Sequence, residues 1–132
     1  MIKFLNYFLI ATSLMWFACD GTNPEPVING LFEGGAFVSN EGNFGDADGS
    51  LSFIPADGAP INNVFSSVNG AQLGDVVQSI HRSENLLFAV VNNSNKVVAS
   101  SLDSMKLDYT ITNVALPRYM TSANGKGYLT EW

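Results

Sequence analysis

Residues 75–113 read DVVQSIHRSENLLFAVVNNSNKVVASSLDSMKLDYTITN. Four runs of β-branched, aromatic and other apolar residues, Val76–His81, Leu86–Val91, Lys96–Ser100 and Leu107–Ile111, alternate with short clusters of turn formers. Glu84-Asn85, Asn92-Asn93-Ser94-Asn95 and Asp103-Ser104 supply the punctuation, since Asn, Asp and Ser bond to nearby backbone and favour turns. No apolar stripe of helical period runs through the stretch. Strands joined by so few residues must turn back on one another, which predicts an antiparallel meander. Leu86–Val91 is apolar at nearly every position, the signature of a strand covered on both faces.

The same grammar extends outward. Ala36–Asn40, Ser50–Ile54 and Ile61–Phe65 precede the stretch, and Arg118–Thr121 and Tyr128–Trp132 follow it. Asp57-Gly58 and Asp103-Ser104 occupy corresponding places, as do Val77–Ile80 and Pro117–Met120, then Phe88–Val90 and Tyr128–Thr130. The offset is about forty residues, the period of four-stranded propeller blades. The expected fold is all-β, built of four-stranded antiparallel β-propeller blades. Residues 75–113 make one complete blade, 35–67 three strands of the blade before, and 117–132 the start of the blade after. Closure of a propeller takes at least about four blades, whereas this spacing accounts for about two. The chain is therefore expected to be the N-terminal part of a longer protein. A small sandwich or barrel is the other fold that such strand spacing allows.

Composition narrows the function classes. The 132 residues include 6 Lys and Arg against 12 Asp and Glu, a net charge of −6. A phosphate-tracking nucleic-acid binder needs a basic face, so no nucleic-acid partner is expected. One Cys and one His exclude a disulfide framework and the common structural zinc patterns. No metal site and no cofactor are expected: Asp46-Ala47-Asp48-Gly49 lacks the remaining ligands of a calcium loop, and no glycine-rich phosphate loop opens a helix. No serine stands in a nucleophile elbow, and His81 has no catalytic partner in sequence, so the chain is not expected to be an enzyme.

Residues 1–18 read as an export signal. Lys3 is the positive start, Phe4–Ala18 the apolar run, and the run is shorter than the about 20 residues of a spanning helix. Cys19 follows it directly after a small residue, an arrangement that resembles the lipobox of bacterial lipoproteins, although Trp16 stands where Leu is usual. The resemblance implies a lipid on Cys19, which becomes the new N-terminus and anchors the chain to a membrane; acyl chains contribute about 0.8 kcal/mol per buried methylene. Asp20-Gly-Thr-Asn-Pro-Glu-Pro26 cannot bury a core, and residues 19–34 are expected to form a flexible tether to a domain over 35–132.

A second resemblance rests on Asn40-Glu41-Gly42-Asn43-Phe44-Gly45, Gly49–Phe53, Asn62–Phe65, Leu73-Gly74-Asp75, Val90–Ser94, Leu116–Tyr119 and Tyr128–Trp132. These segments resemble the YncE-like (YVTN-type) β-propeller lipoproteins of Bacteroidetes over about Gly35 to Trp132, with Ala99-Ser100-Ser101 more polar than that family's third strand. The family implies a lipid-anchored protein at the outer membrane, on the cell surface, encoded with a TonB-dependent transporter. One branch, the BtuG-like lipoproteins, binds a corrinoid. The implied function is capture of a small-molecule ligand or docking on the transporter. A truncated, non-functional remnant and a propeller enzyme are the alternatives.

Propeller loops at one end of the channel usually meet the ligand. Those loops here are 40–49, 66–75, 92–95 and 113–117. The candidate ligand-binding residues are Asn40, Glu41, Asn43, Phe44, Asn92, Asn93 and the adjacent Arg118, since amides and aromatics on loops suit a polar organic ligand. The same Asn residues are also what such turns require for their own geometry. Tyr119, Tyr128 and Trp132 are expected to pack between blades, and Asp103-Ser104-Met105 resembles a short O-glycosylation acceptor but reads first as a turn.

Overall fold

The computed structural model describes Phe32 and residues 34–132. The signal and the lipidation position Cys19 lie outside the described residues, as does most of the tether. The described residues are all-β apart from one short helix: β1 (Gly35–Asn40), β2 (Ser50–Pro55), α1 (Val64–Asn69), β3 (Val77–Ser83), β4 (Leu86–Val91), β5 (Lys96–Ser101), β6 (Leu107–Thr112), β7 (Met120–Ala123) and β8 (Lys126–Leu129). No helix among the described residues is long and apolar enough to cross a membrane.

The strands form three antiparallel sheets: the hairpin β1-β2, the meander β3-β4-β5-β6, and the hairpin β7-β8. The meander is the sheet expected from residues 75–113. Its register pairs Ala89 with Val98 and Leu87 with Ser100 on one face, and Phe88 with Ala99 and Val90 with Val97 on the other. Both faces of β4 are buried, which is why its apolar run does not alternate.

Two cores result, one on each face of the meander. On the first, Leu87, Ala89, Val91 and Val98 pack with Leu51 and Phe53 of β2 and with Val64 and Phe65 of α1. Phe32, Phe37 and Phe53 form an aromatic trio here, with ring centroids 5.0–5.3 Å apart. On the second face, Phe88, Val90, Val97 and Ala99 pack with Met120 and Leu129 of β7 and β8. Full burial of a Val, Leu or Phe side chain contributes about 1.5–3 kcal/mol, so these clusters are the main reason the three sheets stay stacked.

The first strands of the sheets lie side by side, β1 and β7 flanking β3. β7 runs with β3: Ser79 donates to the Arg118 carbonyl (2.7 Å), and His81 and Ser83 both meet Ser122 (3.0 Å each). β1 runs against β3, because the Val77 amide, at the start of β3, donates to the carbonyl of Glu41, just past the end of β1 (3.3 Å).

Three expectations need correction. Ile61–Phe65 is not a strand. Only Ile61 pairs, exchanging two 2.8 Å backbone bonds with Phe53, and the chain then turns into α1. Asn63 takes a left-handed conformation (φ 56°), which breaks the extended run, and its carbonyl accepts the Ser67 amide, while Gly70 (φ 62°) closes the helix. The first unit thus has two strands and a bridge rather than three strands. Tyr119, Tyr128 and Trp132 do not pack between sheets; they are 56%, 53% and 80% exposed.

Candidate functional site

Successive turns of a meander alternate between its two ends. The β4–β5 turn (92–95) and the segment after β6 (113–117) share one end with the approach to β3, and the loop between β1 and β2 (41–49) joins them there. Gly49 and Gly74 form an isolated bridge in which the Gly49 amide donates to the Gly74 carbonyl (3.0 Å). A Cβ on Gly49 would stand 2.7 Å from the Val77 side chain and 2.8 Å from the Gly74 carbonyl, so only glycine permits this approach.

Asp75 ties the loops together. It is 7% exposed, and its Oδ2 accepts from the Gly45 amide (2.9 Å) and from the Asn93 side-chain amide. Its own amide donates to the Ser94 hydroxyl (2.9 Å). Oδ1 is buried with no partner. The next residue, Val76, is buried at φ 60°, a strained conformation for a β-branched side chain. Its carbonyl accepts the Asn92 amide (2.8 Å), and the Val77 bond to Glu41 fixes its other side. Three segments, the 41–49 loop, residues 75–77 and the 92–95 turn, are thereby locked around a buried carboxylate and a strained residue.

The sequence candidates divide in this frame. Glu41 and Phe44 sit on the gathered loops with side chains turned to solvent, Phe44 80% exposed. Asn43 is exposed but committed: its amide and its side-chain nitrogen donate to the two oxygens of Asp48 (2.7 and 2.9 Å). The Asp46–Gly49 segment is thus a turn braced by Asn43. Asn92 donates to the Pro117 carbonyl (2.9 Å), and Asn93 to Asp75. Both act in the scaffold of the site, as turn chemistry demands. Asn95 does likewise, accepting the Leu116 amide (2.9 Å).

Asn40 does not join the group. Its side chain lies across the face of β1-β2, donating to Ser50 (3.3 Å) and Ser52 (3.0 Å). The 66–75 loop is split. Its end at Gly74-Asp75 belongs to the cluster, whereas Asn69 bonds to the Phe65 and Met105 carbonyls and the Leu107 amide (2.8 Å each), at the opposite end of the meander. Arg118 reaches the cluster through its neighbour Pro117, and its guanidinium lies 5.1 Å from the Trp132 ring centroid, a cation–π pair on a largely exposed indole.

The arrangement is a hydrogen-bonded polar floor at one end of the meander, with an exposed aromatic ring and carboxylate on the 41–49 loop and a guanidinium over an indole beside the 113–117 segment. Such a set can bind a ligand by stacking and by hydrogen bonds to polar substituents. Sequence reasoning missed Asp75 and Ser94 as site residues. No family model matches this chain, and no curated protein matches it.

Proposed function

We propose that the chain is a lipid-anchored surface protein whose sheets are successive blades of a β-propeller, and that it captures a small polar organic ligand for an outer-membrane transporter. The strand order supports the blade assignment. β3 and β7 are parallel first strands of neighbouring sheets, and β1, which opposes β3, fits the second place of its blade as β4 does in the next. Docking directly on a TonB-dependent transporter is the partner role that the sequence resemblance suggests.

The observation that carries the proposal is the Asp75-centred set of hydrogen bonds together with the exposed Phe44 on the loop it holds. The 80% exposed Phe44 is presented from a backbone that hydrogen bonds hold on both sides, at Asn43 and at Gly45, which limits the ordering that a stacking ligand must impose.

Cyanocobalamin is the first probe, titrated calorimetrically into the complete encoded protein. Saturable binding is expected, weakened about tenfold or more by Phe44→Ala and by Arg118→Ala, as for anchor residues of an interface. No saturable heat, or binding that neither substitution touches, refutes capture of a corrinoid at this end. The anchor is tested separately: labelling with an alkynyl fatty acid is expected to mark the wild-type chain and to fail in Cys19→Ala.

A further inference from the structure

Asparagine followed by glycine is the dipeptide most prone to lose its side-chain amide. The glycine nitrogen attacks the carbonyl carbon of the asparagine side chain, and glycine has no side chain to screen that approach. Three such pairs occur in the sequence: Asn29-Gly30, Asn69-Gly70 and Asn124-Gly125. The first lies outside the described residues. The fold treats the other two in opposite ways. Asn69-Gly70 is held shut. The Asn69 side-chain nitrogen donates to the Phe65 and Met105 carbonyls, and its oxygen accepts the Leu107 amide (2.8 Å each). The Gly70 nitrogen, which would be the attacking atom, donates to the Ser66 carbonyl (2.9 Å). Ring closure there has to break four hydrogen bonds, two of which tie α1 to the segment between β5 and β6.

Asn124-Gly125 is the two-residue turn between β7 and β8, flanked by the pairing of Ala123 with Lys126. Positive φ at both residues, 53° and 71°, is the type I′ geometry that selects Asn-Gly in hairpins. In such a turn the closing hydrogen bond comes from the residue after the glycine. The Gly125 nitrogen is thus left over, and among the described residues no backbone acceptor meets it. Both residues are exposed. The sheets of this chain stack on their faces, so a further sheet laid over β7-β8 leaves the tip of the turn in solvent.

We propose that Asn124 is a site of spontaneous modification, at which the Gly125 nitrogen displaces the side-chain amide and water completes the reaction. The Gly125 N–H gives its proton to a base in solvent, the nitrogen bonds to Cγ of Asn124, and the side-chain nitrogen leaves as ammonia. The product is a cyclic imide. Water adds to either of its carbonyls and returns the chain as aspartate or as isoaspartate. Aspartate keeps the main chain and places a negative charge beside Lys126. Isoaspartate routes the main chain through the side-chain methylene and lengthens a turn whose length sets the strand register. Ala123 and Lys126 then no longer pair as before, and the hairpin loosens the cover that Met120 and Leu129 place on the second core.

Ageing the complete encoded protein in mildly alkaline buffer, followed by peptide mapping in a mass spectrometer, tests this. Trypsin releases residues 119–126, which carry Asn124, and cleavage before aspartate releases residues 57–74, which carry Asn69. In the folded protein, amide loss in 119–126 is expected to run about tenfold or more ahead of that in 57–74, because Asn69 reacts only through local unfolding. In urea the two peptides are expected to react at similar rates. Asn124→Gln, whose longer side chain must close a larger ring, is expected to keep its amide under the same conditions. The isoaspartate form, separated by chromatography, is expected to exchange the amides of β7 and β8 faster than fresh protein does. Equal rates in the folded protein, or a 119–126 peptide that reacts in urea but not in the fold, would overturn the assignment of the site. Unchanged exchange in the isoaspartate form would overturn its effect on the hairpin.

Discussion

Asp75 concentrates more of the site than any exposed residue. One carboxylate oxygen holds the 41–49 loop through Gly45 and the 92–95 turn through Asn93. Removing it strands two donors, and Asp75→Ala is expected to lose about 2–3 kcal/mol in urea unfolding, since hydrogen bonds to charged groups are the stronger kind. Asp75→Asn keeps one acceptor oxygen and is expected to lose less. Gly74→Ala is expected to lower the melting temperature as well. Its φ is 129°, where a side chain is strained, and a Cβ would stand 2.5 Å from the Ser94 hydroxyl that receives the Asp75 amide. The exposed members of the cluster were legible in the sequence because loops and aromatics announce themselves. Asp75 was not. A Gly-Asp pair ahead of an apolar run looks like an ordinary turn, and its partners are 30 and 18 residues away, brought there only by tertiary packing. The converse holds for Asn92 and Asn93: their amides were legible, but the choice between ligand and turn is made by the Pro117 carbonyl and by Asp75.

At the scale of the element, β4 and α1 show opposite degrees of legibility. β4 is an unbroken apolar run, and its burial on both faces follows directly. Leu87→Ala and Phe88→Ala, which face opposite cores, are therefore both expected to cost about 2–5 kcal/mol, where a half-solvated strand would tolerate one of them. Paired urea titrations would separate the two cases. Amide exchange is expected to be slowest in β4 and β5 and fastest in β6 and β8, whose residues are mostly exposed. α1 was illegible because Val-Phe-Ser-Ser-Val-Asn has poor helix propensity and only six residues, too few for an isolated helix. It exists because Asn63 and Gly70 fix its ends and because Val64 and Phe65 are buried in the first core.

Across the whole molecule, the meander is the common wall of both cores, so neither outer hairpin has a core of its own. Loss of the meander removes the partner of each. Far- and near-ultraviolet circular dichroism are accordingly expected to report one coincident thermal transition, and two separated transitions would show that β1-β2 and β7-β8 unfold independently. The shared wall also explains why the sheets were legible from spacing alone: each strand pairs with its neighbour in sequence.

That neighbour-to-neighbour pairing has a consequence for how the protein is made. A sheet of sequence-local pairs has low contact order and forms early, so β3–β6 can assemble as soon as Thr112 has cleared the ribosome. By then β1-β2 and α1 have emerged and can cover the first face. The second face must wait for Met120 and Leu129. A nascent chain whose residues up to Asn113 have emerged therefore presents Phe88, Val90 and Val97 to the surroundings, whereas one that has also released Leu129 does not, and the shorter intermediate is the one that a chaperone recognising exposed apolar strands will hold.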